Sequence, residues 1–119
     1  MLEVPEQRQN VHLVLGPTDM RKSIDGLCAQ VKYFLEEDPV SDKLFVFCNR
    51  GRDKIKILQW STSGFWLHYK RLETGRFKWP QPDDDQVSQI VGRRELNWLL
   101  DGLPLQQPAA HRQINFIYF

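Results

Sequence analysis

The sequence lacks the features that define secreted and membrane proteins. It has two cysteines, Cys28 and Cys48, in 119 residues, too few for the disulfide framework of a small secreted domain. Both lie within apolar patterns, which predicts buried thiols in a reducing compartment. No apolar run approaches the ~20 residues that span a bilayer, and the N-terminal residues have neither the basic nor the apolar region of a signal peptide. We therefore predict a cytoplasmic protein that makes no membrane contact.

Residues with catalytic or metal-binding spacing are also scarce. The histidines, His12, His68 and His111, are scattered along the chain, and no Cys/His set has zinc-site spacing. There is no glycine-rich loop of the kind that cradles phosphates. The acidic run 83–85 could indicate a metal-dependent nuclease, but adjacent carboxylates in a Pro-rich loop are typical of a solvated turn, because two-metal sites need carboxylates that converge from rigid elements. We predict a protein that is not an enzyme and uses no cofactor or metal.

The length and the periodicity of apolar residues predict one α+β domain. Apolar side chains recur with helical spacing over 24–35, and Asp38-Pro39 should end this helix. A second helix is predicted over about 93–100, with Gly102 after its C-terminus and Pro104 as a stop. We divide the chain into a flexible N-terminus over 1–10, a single domain over 11–104 and a C-terminal tail over 105–119, in which 113–119 could form an edge strand.

Between the two predicted helices the sequence favours an antiparallel β-meander of four to five strands. A short strand over 11–15 precedes the first helix. The meander strands are predicted over 44–48, 54–60, 64–71 and 76–79, with 86–91 as a fifth. The gaps between them are short and rich in Asn, Ser, Thr and Gly, which indicates turns and therefore antiparallel neighbours.

The middle of the chain is strongly basic, although the formal net charge of the whole sequence is +1. Residues 49–80 contain eight Lys and Arg against two acidic residues, a net charge of +6, and the remainder carries −5. Such polarity indicates a surface for an anionic partner, since Lys and Arg neutralise phosphates and release counterions. The alternative interpretation is a merely solvated charged rim.

Strand alternation divides this middle segment into two predicted faces. We expect a core face formed by Ile55, Ile57, Phe65, Leu67 and Tyr69. The opposite face would combine cations with two indole rings, which could stack on unpaired bases. This second face is predicted to consist of Lys54, Lys56, Leu58, Trp60, Trp66, His68 and Lys70. A register shift of one residue would exchange the faces.

A second basic feature stands at the start of the first predicted helix. Asp19 or Ser23 can act as its N-cap, and with Asp19 as the cap Arg21 and Lys22 would lie in the first turn. Cations there oppose the helix dipole. They are tolerated on a solvated surface, but together with free backbone amides they would also suit a bound phosphate.

Several motifs closely resemble the small accessory protein, of the "transposase B" type, that insertion sequences of the sixty-six type encode. The match extends in order over about 11–103 and departs from the family pattern at 91–94 and in the tail. The motifs that carry the resemblance are Gly16-Pro17-Thr18-Asp19-Met20-Arg21-Lys22-Ser23, Asp25-Gly26-Leu27, Leu44-Phe45-Val46-Phe47, Lys56-Ile57-Leu58, Tyr69-Lys70-Arg71-Leu72-Glu73-Thr74-Gly75-Arg76-Phe77-Lys78-Trp79-Pro80, Glu95-Leu96 and Leu99-Leu100-Asp101-Gly102.

The resemblance implies a non-enzymatic factor for transposition of a bacterial mobile element, whose partners would be DNA and the element's separate, larger transposase. Our first hypothesis is that it binds DNA through the basic region, and the alternative is an adaptor that docks on the transposase, using Trp and Arg as interface anchors. The oligomeric state is left open. The predicted binding residues are Arg21, Lys22, Arg50, Arg52, Lys54, Lys56, Trp60, Trp66, His68, Lys70, Arg71, Arg76, Lys78 and Trp79.

Overall fold

The computed structural model describes residues 9–106. Their elements follow one another as β1 (Val11–Val14), α1 (Ile24–Tyr33), β2 (Leu44–Cys48), β3 (Lys54–Ser61), β4 (Gly64–Arg71), β5 (Ser88–Val91) and α2 (Arg93–Leu100). The predicted loose segment before residue 9 and the predicted edge strand over 113–119 lie outside the described residues. Among the described residues no helix is long and apolar enough to cross a membrane.

The five strands form one mixed sheet in the order β4-β3-β2-β1-β5. Strands β2, β3 and β4 are the predicted antiparallel meander, and α1 and α2 precede and follow it, so the predicted α+β class is confirmed. The outer pairing differs from a simple meander. Strand β1 lies parallel to β2, with α1 as the crossover, and β5 pairs antiparallel with β1 rather than with a strand of the meander.

Each face of the sheet carries its own apolar core. On one face α1 packs through Leu27 and Val31, joined by Leu35 just after the helix, against a cluster that includes Phe45 and Leu58. We call this the α1 face. On the other, the α2 face, Leu96 and Leu99 of α2 pack with side chains from all of the strands except β4. Every residue of β1 and β2 is buried, as expected for central strands covered on both sides.

Both cysteines are free thiols, and of the two predicted to be buried only Cys48 is fully so. Cys48 is completely buried in β2 on the α2 face, and burial raises the pKa of its thiol to about 12. Cys28 is half-buried in α1, and burial raises the pKa of that thiol as well. Neither thiol is therefore ionised to any extent at neutral pH.

The predicted strand over 76–79 is wrong. Residues 72–80 form an irregular segment that crosses the α2 face, and the backbone N–H of Phe77 donates to the carbonyl of Arg52 in the turn after β2. The alternation of apolar and charged residues misled the prediction, because Phe77 and Trp79 point into the core without a neighbouring strand. Strand β4 is consequently the edge of the sheet.

The predicted division of β3 and β4 into faces is also wrong. The β3–β4 hairpin turns through two residues, so Ser61 lies opposite Gly64 and Gln59 opposite Trp66. Directly paired residues share a face. The α2 face therefore combines Ile55 and Ile57 with the even-numbered residues of β4, and the α1 face combines the even-numbered residues of β3 with the odd-numbered ones of β4.

The helix ends differ from the predictions at α1 only. It stops at Tyr33, not at Asp38, because the chain reverses through Glu36 in a left-handed conformation (φ 56°). The N–H of Glu37 closes the end by donating to the carbonyl of Val31.

Asn10, at the end of the segment predicted to be flexible, is buried, and its side-chain amide donates to the carbonyl of Asp42.

Candidate functional site

A groove opens where the parallel strands β1 and β2 end. Both strands leave the sheet at the same edge, so the loop 15–23 after β1 lies beside the turn 49–53 after β2. The crevice outside the carboxyl ends of parallel strands is a common place for ligands. We call it the basic groove. Two adjoining recesses of about 310 and 690 Å³ compose it, and its walls are residues 16–21, 49–52, 54, 69 and 79–81.

The loop 15–23 is pinned to the rest of the molecule by Thr18. Its backbone N–H donates to the carbonyl of Cys48 at 2.8 Å, and its buried hydroxyl accepts from the side-chain amide of Gln30 in α1 at 3.1 Å. Gly16, the second residue of the loop, has φ +83°, a conformation that favours glycine. The backbone conformation of Gly16 and the hydrogen bonds of Thr18 thus give these two residues of the motif a structural role.

Asp19 and Arg21 form a local ion pair at the rim of the groove. The carboxylate accepts hydrogen bonds from the backbone N–H and the guanidinium of Arg21, the shortest at 2.7 Å. Hydrogen bonding to the Arg21 side chain lowers the pKa of Asp19 to about 2. The guanidinium stays 92% exposed, so it can also reach a ligand.

The turn 49–53 presents two further arginines. Asn49 organises it: its side-chain oxygen accepts from the backbone N–H groups of Asp53 and Lys54, and its amide donates to the Asp53 carboxylate at 2.8 Å. The hydrogen bond from Asn49 lowers the pKa of Asp53. Arg50 and Arg52 line the groove and have no ion-pair partner within residues 9–106.

Lys56, one of the predicted binding residues, makes its contacts inside the protein. Its ammonium group donates to the carbonyls of Met20 and Lys22 at 2.8 and 2.9 Å. It also lies 5.7 Å from the ring centroid of Tyr69. Lys56 therefore holds the loop 15–23 against β3 and β4, and most of its hydrogen-bonding capacity is used inside the protein.

The predicted placement of Arg21 and Lys22 in the first turn of α1 is wrong. The helix begins at Ile24, and the charged residue of its first turn is Asp25, which suits the helix dipole. The cap position is Ser23, without a side-chain hydrogen bond. The side chain of Lys22 extends along the helix, and its ammonium donates to the side chain of Gln30.

Three predicted binding residues lie on the α2 face instead. Trp66 is 60% exposed and stacks on His68, with ring centroids 6.1 Å apart. His68 contacts Gln59 at 2.9 Å, and burial lowers the pKa of its imidazole. The ammonium of Lys70 donates to the carbonyl of Leu100 at the C-terminal end of α2, where a cation stabilises the helix dipole.

The other predicted residues are also separated from one another. Trp60 packs edge-on against the ring of Phe65 on the α1 face. Arg71 forms an exposed ion pair with Glu73. Arg76 and Lys78 are exposed on either side of buried Phe77.

Trp79 is unsuited to stacking on a base. Only 6% of the residue is exposed, and its indole N–H donates to the carbonyl of Val14 at 3.1 Å. Its ring forms part of the α2-face core and closes one end of the basic groove. The predicted set of fourteen residues therefore does not form one surface, and the structure brings four of its cations together at the groove: Arg21, Arg50, Arg52 and Lys54.

Tyr69 is the groove residue that the sequence interpretation missed. It was predicted to belong to the core, but it is 54% exposed and lines the groove beside Arg50 and Lys54. The error follows from the hairpin register, which places Tyr69 opposite Lys56 on the α1 face. Its position between Lys and Arg residues in the sequence was the available signal.

The described part of the chain offers no arrangement for a metal ion. Within residues 9–106 no group of three or more His, Cys, Asp or Glu side chains is positioned to hold one. Residues 83–85 are exposed, and Asp84 adopts a left-handed conformation, as expected in a solvated turn.

These features define a small α+β domain with a mixed sheet and a basic groove at the ends of its parallel strands. The chain belongs to the family of IS66 Orf2 like proteins, whose pattern matches residues 9–110. The resemblance read from the motifs is thereby confirmed. The family is one of accessory transposition proteins rather than known catalysts, which associates the chain with insertion-sequence transposition.

Two relatives come from Sinorhizobium fredii (strain NBRC 101917 / NGR234). The uncharacterized protein y4hO is 31% identical over 102 residues, which cover 86% of this chain and 87% of the relative. The uncharacterized protein y4jC is 30% identical over 99 residues, with 83% of each chain covered. No solved structure matches the chain significantly.

Proposed function

We propose that the protein is a non-enzymatic accessory factor for transposition that binds DNA at the basic groove. The observation that carries the proposal is the convergence of Arg21, Arg50, Arg52 and Lys54 from separate stretches of sequence onto one concave surface. A solvated rim of charge would not require such convergence. Two of these side chains, Arg50 and Arg52, have no ion-pair partner within residues 9–106 and are available for phosphate oxygens.

The balance of charge in the groove favours an anionic ligand. One recess is lined by Arg50 and Arg52 without any acidic side chain. The other is lined by Arg21, Arg50 and Lys54 against Asp19, a net charge of +2. Arg21 pairs with Asp19 and Lys54 lies 3.6 Å from the Asp53 carboxylate, so Arg50 is the unpaired cation of this recess within residues 9–106. Guanidinium groups are suited to phosphate because their planar donors can bind two oxygens at once.

Fluorescence anisotropy with labelled DNA from the ends of the mobile element tests this proposal. The double variant Arg50→Glu/Arg52→Glu should bind at least ten-fold more weakly than the unchanged protein, because each reversal replaces attraction to phosphate by repulsion. The matched control is Lys32→Glu/Arg94→Glu, which changes the net charge equally but alters exposed residues of α1 and α2 outside the groove.

The two variants separate local contacts from the charge of the whole molecule. An equal loss of affinity in both would mean that only net charge matters. No binding by the unchanged protein at low salt would sink the proposal. Both variants should keep the circular dichroism spectrum of the unchanged protein, since all four side chains lie outside the core.

A second candidate function is an adaptor that docks on the transposase, and the exposure of Trp66 favours it. This indole lies on the edge strand β4, on the face opposite the groove's Tyr69. Exposed tryptophans are frequent anchors of protein interfaces. Co-purification with the transposase after nuclease treatment should be lost in the Trp66→Ala variant. It should be kept in the Tyr33→Ala variant, which removes a still more exposed ring at the end of α1 (73% against 60%). Failure of the unchanged protein to co-purify would count against this function.

A further inference from the structure

We infer that the basic groove binds single-stranded DNA, with one unpaired base stacked on the ring of Tyr69 and the flanking phosphates held by Arg50 and Lys54. The inference rests on the proposed DNA binding and specifies its substrate. Single-strand binding surfaces combine a positively charged groove with aromatic side chains on which bases stack. The α1 side of this molecule combines both in one recess.

The surroundings of Tyr69 suit a stacking platform. Strand β4 fixes its backbone opposite Lys56, and the Lys56 ammonium lies 5.7 Å from the ring centroid. That ammonium is itself held by the carbonyls of Met20 and Lys22, so the ring is supported from within the protein. More than half of Tyr69 is nevertheless exposed, in a recess that Arg50 and Lys54 also line. Cations alone would neutralise the phosphates of a duplex. The exposed ring beside them is a feature that suits an unpaired base.

Neither helix is equipped to read duplex DNA. Recognition helices enter the major groove with several polar or basic side chains directed at base edges. The charged residues of α1 are Asp25 and Lys32, which cancel, and α1 covers the sheet with its apolar side. In α2 the two arginines stand in the first turn beside Glu95, and the last turn has no basic residue. The concentrated positive charge lies in a concave groove, which a rigid duplex cannot enter as readily as a flexible strand.

The test is fluorescence anisotropy with a 12-nucleotide single strand and with the blunt duplex of the same sequence, at one salt concentration. The single strand should bind the unchanged protein more tightly. Changing Tyr69→Ala should weaken single-strand binding by about 5- to 150-fold, the usual effect of removing one stacking ring. Tyr69→Phe keeps the ring and should bind within about two-fold of the unchanged protein.

The control for loss of an exposed ring is Tyr33→Ala, which lies at the end of α1 outside the groove and should leave single-strand affinity unchanged. A direct readout uses the unchanged protein: a single strand containing 5-bromodeoxyuridine is photo-cross-linked, and the modified residue is found by mass spectrometry. Cross-linking to Tyr69 supports the inference.

The outcomes separate this inference from the proposed function. Equal or tighter binding of the duplex, or an unchanged affinity in the Tyr69→Ala variant together with cross-links elsewhere, would overturn single-strand stacking while leaving DNA binding in place. No binding of either DNA would overturn both.

Discussion

Lys56 illustrates how a single cation in a basic segment can serve the fold rather than the ligand. Its ammonium donates to two carbonyls of the loop 15–23. Changing Lys56→Met should keep the aliphatic packing but leave those carbonyls without their charged donor. Hydrogen bonds to charged groups contribute about 1.5–3 kcal/mol in favourable settings. Because this site is partly exposed, we expect the free energy of unfolding to fall by about 1–2 kcal/mol in urea titrations.

Lys54→Met is the matched control, since it removes a neighbouring ammonium of the same strand and face. Lys54 makes a longer contact, 3.6 Å, with the half-exposed carboxylate of Asp53. Surface pairs of this kind contribute little, so the loss should stay below about 0.5 kcal/mol. If both variants lose equal stability, the assigned difference between the two lysines is wrong.

His12 makes the stability of the fold depend on pH. It is buried in β1 beside the ring of Phe45, and its Nδ1 has no hydrogen-bond partner within residues 9–106. Burial, with smaller opposing effects of Glu37 and Lys43, lowers the pKa of the imidazole below its usual 6.5. The unfolded chain therefore binds a proton before the folded one does.

The sign of the effect follows from that difference. The contribution of the neutral imidazole to the free energy of unfolding is fully present above about pH 6.5. It is lost as the pH drops from there to the lowered pKa of the folded state. Urea midpoints at pH 7.5, 6.5 and 5.5 should decrease in that order, and His12→Gln should reduce the decrease. The His68→Gln variant, which changes a half-buried imidazole on the edge strand, should retain more of the pH-dependent decrease in the urea midpoint. An unaltered pH dependence in the His12 variant would contradict this account.

At the scale of elements, the irregular segment 72–80 is part of the core although it has no regular structure. Trp79 fills the α2 face and donates to the carbonyl of Val14. Truncation of a buried tryptophan typically costs about 3–5 kcal/mol. We therefore expect Trp79→Ala to unfold the domain or to lower its free energy of unfolding by about that amount. Urea titration followed by circular dichroism measures the change.

Trp66→Ala is the comparison for Trp79, because it removes the same side chain from an exposed position. Its effect on stability should be within about 0.5 kcal/mol. A stable Trp79→Ala variant with weakened DNA binding would instead restore the interpretation of Trp79 as a binding residue.

The elements that sequence reasoning located well are those with a clear local period or boundary signal. The bounds of β2, β4 and α2 coincide with the predicted ones. Gly102, expected after the end of α2, has φ +83°. The segment 76–79 shows the limit of this reasoning. Alternation of apolar and charged residues indicates that every second side chain is buried, but it does not show that the backbone pairs with a neighbouring strand.

The candidate site was only partly predictable because its assembly depends on non-local pairing. Strand β3 is apolar on both sides, with Ile55 and Ile57 on one face and Leu58 on the other, so its alternation does not identify a single core face. The face on which Tyr69 lies then depends on the register of the hairpin. A turn that is one residue longer or shorter would move Tyr69 to the other face. Similarly, the loop 15–23 meets the turn 49–53 only because β1 and β2 are parallel neighbours.

For the whole molecule, the important quantity is where the positive charge is concentrated rather than its total. Residues 49–80 carry +6 in a chain of net charge +1. The fold divides those cations: Lys70 stabilises the end of α2, Lys56 holds a loop, and Arg71 pairs with Glu73. Arg50, Arg52 and Lys54 remain at the groove, where Arg21 joins them from another part of the chain. Binding should therefore involve few phosphates.

That small number predicts a shallow salt dependence. For single strands, the slope of log K against log salt is about −0.7 per phosphate neutralised. Three to four groove cations should thus give a slope of roughly −2 to −3. Arg50→Gln/Arg52→Gln removes two of them and should reduce the slope by about 1.4, whereas Lys32→Gln/Arg94→Gln should leave it unchanged. Anisotropy titrations at four salt concentrations between about 25 and 200 mM measure all three slopes. A slope much steeper than −3 would require phosphate contacts beyond the groove, and equal slopes in the two variants would place the binding surface elsewhere.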